Sequence, residues 1–240
     1  TYTGIQGLSK PVTLVDGRWE DTPKRIAVSL APDFRVVGDV DGAAPDDAVV
    51  ILVVNRGGSG AASYAAVVAR LGDKLVNVAT APIGDRVQLR DVRIENRRII
   101  ADVLQAGPDD PMCCPGELAT RAWNLDGAKL SELPALGPTS RLSLATLGDR
   151  VWVLRSWDFS ERAPATPEVT LQVKDGRLSG SSGCNGYSAA VTPGKMPGDV
   201  EVGAAAGTRK MCGDAEMQVE MRFLASLGHV TKYGFMLGQL

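Results

Sequence analysis

The sequence predicts a mostly β protein built from two β-rich domains, with one α-helix near the C-terminus. Three observations carry this. Short apolar runs rich in β-branched residues recur at spacings of about 8–12 residues, as in antiparallel β folds. The chain of 240 residues holds 27 glycines and 14 prolines, which favours many short elements joined by turns. Only one stretch, about 214–227, carries a helical period.

The elements follow in order. AVVILVV (48–54) is a continuous apolar run suited to a strand buried on both faces. RGGSGAAS (56–63) reads as a loop, YAAVVARL (64–71) as a strand, GDK as a turn, and LVNVATAPI (75–83) as the next strand. DRVQLRDVRIEN (85–96) alternates, with Val87, Leu89 and Val92 or Ile94 toward one face. Asn96 and Arg97 make a turn into RIIADVLQAG (98–107), and TRAWNL (120–125) closes an antiparallel meander. Residues 1–125 thus form the first domain. Residues 126–141, with prolines, glycines and no clear period, read as a linker, and 142–240 as the second domain. There VWVLRSW (151–157), VTLQV (169–173) and RLSG (177–180) are strands, and the DG at 175–176 marks a hairpin. The helix GDAEMQVEMRFLASLGHV places Met217, Met221 and Leu224 on one stripe, widened by Phe223 and Leu227. Asp214 can cap it, Glu216 sits in its first turn and Gly228 ends it. KYGFMLGQL (232–240) reads as a final strand.

Charge and cysteine content narrow the function. A net charge of −2 and a pI near 5.5 leave no basic face for nucleic acid. No run of about 18 apolar residues supplies a helical membrane span. The four cysteines are Cys113, Cys114, Cys184 and Cys212, and they permit three complete pairings. There is no C-x-x-C, and His229 is the sole histidine, so a sulfur and imidazole metal site is disfavoured. Cys113 and Cys114 can bond each other, reach the second domain or stay reduced; the vicinal bond is the preferred reading.

Three stretches could carry chemistry. SGSSGCNGY (179–187) surrounds Cys184 with small residues, and a thiolate nucleophile there would need His229 as its base. No motif links the two, and GSSGC and GGSGA both lack the final glycine of a serine-hydrolase elbow. GDVDGAAPDDAVV (38–50) resembles the calcium loop of FG-GAP or VCBS-type repeats. Asp39, Asp41, the Pro45 carbonyl and Asp47 would be the ligands, while Ala43 stands where that family is usually acidic. A polar turn with aspartates bonding backbone amides is the preferred reading, and Ca2+ the lesser one. Arg209 and Lys210 precede the helix and could bind an anion, but read better as a solvated pair.

The C-terminal half, over about 142–240, resembles a META domain, the family that includes the bacterial heat-shock lipoprotein HslJ. The match lies in Trp152 and Leu154, in DGRLSGSSGCNGY (175–187), in GTRKMC (207–212), and in FLASL with Val230 and Tyr233. Its signature residues here are Gly183, Cys184, Asn185, Tyr187, Thr208, Arg209 and Cys212. The resemblance implies an antiparallel sheet curled into an incomplete barrel around one helix, and one or two strands beyond Leu240 that this chain lacks. Cys184 and Cys212, one in each signature block, are expected to pair. The N-terminal half is similar to exported bacterial domains with a G-D-x-D-G strand and a later C-C-P loop. Both resemblances imply a non-enzymatic, monomeric envelope protein of the periplasm. It would reach the membrane only through a lipid on a cysteine upstream of Thr1, and act in stress through an envelope protein or an apolar ligand.

Overall fold

The computed structural model describes residues 1–111, 113–148, 150–158 and 161–240, the side chains of Pro32 and Asp33 apart. The fold is mostly β with one α-helix among the described residues. The chain divides into two compact units. The first holds Thr1–Arg141 with Phe235–Gln239, and the second Leu142–Gly234 with Leu240.

The first unit begins with an antiparallel meander of five strands: β1 (Arg18–Asp21), β2 (Ile26–Gly38), β3 (Asp47–Asn55), β4 (Ala61–Leu71) and β5 (Lys74–Asp85). A second sheet runs β6 (Gln88–Glu95), β7 (Arg98–Gln105) and β8 (Glu117–Asp126), followed by β9 (Lys129–Glu132) and β10 (Ser140–Arg141). Asn96 and Arg97 both take positive φ, which a two-residue hairpin of matching twist requires. Val49, Ile51, Val67 and Ala81 of the first sheet pack with Leu89, Ile99, Val103 and Trp123 of the second in one buried core. Each large aliphatic side chain buried there contributes roughly 1.5–3 kcal/mol. The opposite face of the first sheet buries Val28, Leu52 and Tyr64 beneath Ile5 and Val12 of the N-terminal segment.

Two expectations for this unit are corrected. Residues 126–141 are not a linker. β9 and β10 both pair with β8 on the edge away from β7, and the Leu133 and Leu136 amides also donate to β8 carbonyls. Backbone groups along that edge thus find partners that a solvated linker would leave to water. KYGFMLGQL forms no strand either. Leu237 and Gly238 take positive φ, which breaks extended geometry, and the Gly238 amide donates to the Leu89 carbonyl.

The second unit holds a 3-10 helix (Leu144–Leu147), then β11 (Trp152–Val153), β12 (Thr170–Lys174), β13 (Arg177–Ser181), β14 (Gly186–Pro193), β15 (Val200–Val202) and β16 (Ala206–Gly207). They pair in the order β11–β12–β13–β14–β15, with β16 also on β14, to give a half-barrel. Asp175 and Gly176, both at positive φ, turn β12 into β13. VWVLRSW keeps only two residues as strand, because a Ser156–Arg162 bridge folds the chain back. The helix α1 spans Asp214–Leu227, the range its period predicts. Its N-cap is Gly213 rather than Asp214. The buried stripe is Glu220, Phe223 and Leu227, and Met221, expected in the core, is 61% exposed. The inward face is rotated because Phe223 packs edge-on against Tyr187 of β14, ring centroids 5.1 Å apart, and because Glu220 serves the signature loop.

Candidate functional site

An apolar space in the second unit lies between α1 and the concave side of the half-barrel, with a volume of about 430 Å3. That falls within the ~300–1,000 Å3 range of small-molecule sites. The sheet supplies Leu171 and Val173 of β12, Leu178 of β13, Val191 of β14 and Val200 and Val202 of β15. These follow the alternation expected of VTLQV, whose apolar residues share one face. The helix supplies Phe223 and Leu227.

Polar groups sit at the margin. Arg222 holds Glu161 with both guanidinium nitrogens and lies over the Trp157 ring, 4.3 Å from its centroid. The Arg222 hydrogen bonds keep the exposed Glu161 carboxyl below its usual value. Lys232 approaches Asp199 at 3.8 Å. Burial pushes the Tyr233 phenol up, so it stays neutral. Among the described residues the lining carries no histidine, cysteine or acidic side chain. Such a cleft can shield an apolar molecule from water.

The signature residues hold this cleft together from behind. Cys184 and Cys212 form a disulfide with Cα atoms 5.9 Å apart. Asn185 links three segments through both its side chain and its backbone. Its Oδ1 accepts from Thr208 Oγ1 and the Lys210 amide, both at 2.7 Å. Its Nδ2 donates to the Lys210 carbonyl at 3.2 Å and to Glu220 Oε1 at 3.0 Å, and its amide donates to Glu220 Oε2 at 2.7 Å. The buried Ser182 hydroxyl lies 2.7 Å from both Glu220 Oε2 and the Asn185 carbonyl. Burial pushes the Glu220 carboxyl up, but hydrogen bonds from Ser182, Asn185 and the Cys184 amide outweigh it and hold Glu220 below its usual value. Gly183 lies at positive φ, where a Cβ would press on Pro167. The Tyr187 hydroxyl donates to the Thr170 carbonyl, and burial raises its phenol. Arg209 is exposed, and the segment it shares with Lys210 serves Asn185 through its backbone.

The enzyme alternative is corrected here: the Cys184 sulfur is bonded to Cys212, so it is no free thiolate for His229 to activate. His229 Nδ1 lies 2.7 Å from the Ala225 carbonyl, as a helix-end contact. Glu220, absent from every sequence motif considered, is the residue that reasoning from sequence missed. Its signal was a carboxylate at i−3 from Phe223 on a stripe otherwise apolar.

In the first unit, Cys113 and Cys114 form a vicinal disulfide, Cys113 exposed and Cys114 buried. Their loop closes on Asp110, which accepts from the Gly107 and Gly116 amides at 2.8 Å each and from both Arg141 guanidinium nitrogens. Asp39, Asp41 and Asp47 converge, with one carboxylate oxygen of each within 4.8 Å of the others. Each of the three carboxylates accepts local hydrogen bonds. Asp47 Oδ2 accepts from the Val40 and Asp41 amides, Asp39 from the Gly42 amide and Arg97, and Asp41 from the Ala43 amide. Burial raises Asp47, and those two amides pull it back. Pro45 is exposed on the same loop. The donor set is that of a polar turn.

Residues 145–240 match the family model of the META domain. The match supports a C-terminal META domain and, with it, a non-catalytic module of the bacterial envelope type; the META domain is not a known enzyme family. It begins at Ala145 and so covers most of the second unit, together with Phe235–Gln239 of the first. No curated protein and no solved structure matches the chain.

Proposed function

We propose that the protein is a non-enzymatic binding module of the bacterial periplasm whose META domain holds an apolar ligand between α1 and the half-barrel. The observation that carries this is the apolar cleft of about 430 Å3, lined on the sheet side by six aliphatic residues from four strands. An unfilled apolar surface of that size is costly in water, and binding an apolar molecule there relieves the cost. The ion pairs at its margin, Arg222 with Glu161 and Lys232 with Asp199, leave the interior to shape and hydrophobicity. Two disulfides suit an oxidising compartment such as the periplasm.

Native mass spectrometry of the full chain purified from a bacterial envelope tests the reading. A co-purifying apolar molecule is expected, together with enhanced fluorescence of an added anilinonaphthalene sulfonate probe. Leu154 also lines the cleft, and Leu154→Trp, which would fill it from that side, should abolish both. A chain that carries nothing, and a probe signal unchanged by Leu154→Trp, would overturn it.

A further inference from the structure

The β4–β5 hairpin ends in a tip of unusual make-up. Gly72 and Asp73 form a two-residue turn, with Gly72 at the positive φ that the first position of such a turn requires. Every residue from Arg70 to Val76 is exposed, Leu71 at 60% and Leu75 at 68%. Among the described residues no ion pair engages Arg70, Asp73 or Lys74.

The register gives the tip its character. Leu71 pairs with Lys74, and Arg70 with Leu75. Successive cross-strand pairs point to opposite faces of a ribbon, so each face carries one leucine beside one cation. Val76, opposite Ala69, extends the Leu71 face. A flat protein surface could cover only one of these faces. A fluid medium that surrounds the tip covers both. The ladder runs to Leu71 and Lys74, so few backbone groups would enter that medium unpaired. Arg70 and Lys74 can lay their aliphatic stems along the apolar side chains and lift their charges to anionic headgroups.

The geometry points to the β4–β5 tip as a contact with an anionic lipid surface: Leu71, Leu75 and Val76 enter the interface, and Arg70 and Lys74 bind the headgroups. This stands apart from the ligand cleft and holds whether or not that cleft binds anything.

Co-sedimentation of the full chain with vesicles tests it. Binding is expected to vesicles of phosphatidylglycerol mixed with phosphatidylcholine, to fall with added salt, and to be weak on phosphatidylcholine alone. Leu71→Ser with Leu75→Ser should weaken binding at least about tenfold, since two large apolar side chains no longer leave water. Arg70→Gln with Lys74→Gln should remove the preference for the anionic lipid. A Leu75→Trp variant gives a readout that leaves the rest of the hairpin intact: the emission of the introduced indole should shift to the blue on anionic vesicles. Absence of vesicle binding, serine variants that bind as the parent does, or an unshifted emission from the Leu75→Trp variant would overturn the inference. A protein partner at this tip would give the last result.

Discussion

Glu220→Ala should loosen the second unit more than any other single change to the signature network. The carboxylate is 8% exposed and takes hydrogen bonds from Ser182 Oγ, the Asn185 amide and Asn185 Nδ2 at 2.7, 2.7 and 3.0 Å. Hydrogen bonds to a charged group contribute about 1.5–3 kcal/mol each, and the three together would exceed ~4 kcal/mol. Relief of burying a charge offsets part of that. Alanine also strands the buried amide donors, which restores much of the loss. The net expectation is about 3–5 kcal/mol, a large share of a typical domain's stability. Glu220→Gln keeps the shape but turns an amide NH2 toward a donor, and should cost about 1–3 kcal/mol. The pH dependence has a definite sign. Glu220 is held below its usual value when folded, so its contribution is present above the unfolded value near ~4.3 and fades as pH falls through the folded one. Glu220→Gln removes that dependence. Hydrogen-exchange mass spectrometry of the full chain reads β13, β14 and α1 apart from the first unit. A loss of protection there below about 1 kcal/mol for Glu220→Ala, or an acid sensitivity unchanged in Glu220→Gln, would refute the reasoning.

Other changes probe other ties. Replacing Cys184 and Cys212 by serine opens a loop of sequence separation 28 and should cost roughly 3 kcal/mol, seen as a lower urea midpoint for the second unit. Asp110 is held at about 2, first by its Arg141 hydrogen bonds and then, against burial, by the Gly107 and Gly116 amides. The 107–116 loop should therefore stay protected in hydrogen exchange down to about pH 4 and loosen toward about pH 2, and Asp110→Asn should loosen it at neutral pH. Gly180→Ala should lower the melting temperature measurably, because a Cβ there collides with the Thr170 carbonyl group, which is backbone and cannot swing aside. Millimolar calcium should leave the melting temperature of the full chain unchanged, because Asp39, Asp41 and Asp47 already accept from backbone amides; a rise that vanishes in Asp41→Ala would restore the calcium-loop reading.

Strands with dense β-branched runs and hairpins with Asp-Gly or Asn-Arg turns were legible in the sequence, because period and turn chemistry are local properties. AVVILVV became the centre of β3, and the helix bounds followed from its period and from Gly228 at its end, although its N-cap is Gly213. The misread parts depend on distant partners. Residues 126–141 have no strand period, yet β8 offers an unpaired edge that recruits them. KYGFMLGQL looks like a strand, but Phe235 donates its amide to Gln88 Oε1 and Gly238 bonds Leu89, and those contacts replace a ladder. On α1, counting apolar residues pointed to Met217 and Met221, whereas the buried face was set by an acidic residue. No periodicity rule ranks Glu220 as core, since its burial is licensed only by donors brought from 182–185.

That inversion separates what identifies the second unit from what it can do. Cys184, Asn185, Thr208 and Cys212 share one job: they tie the β13–β14 turn to the segment before α1 and, through Glu220, to the helix itself. The helix is tied to that turn directly at Glu220 and indirectly through Cys212 just before it, which resists further closure even though Val173, Val191, Leu227 and their neighbours would gain by filling the space between them. The polar clamp therefore keeps the apolar cleft open. If the cleft binds a ligand as proposed, its choice would rest on the lining residues, while Cys184, Asn185, Thr208 and Cys212 hold the frame. The Glu220 and Leu154 variants separate the two roles: loosening the clamp should weaken apolar binding by letting the cleft close, whereas filling the cleft should abolish binding and leave the clamp's hydrogen-exchange protection intact.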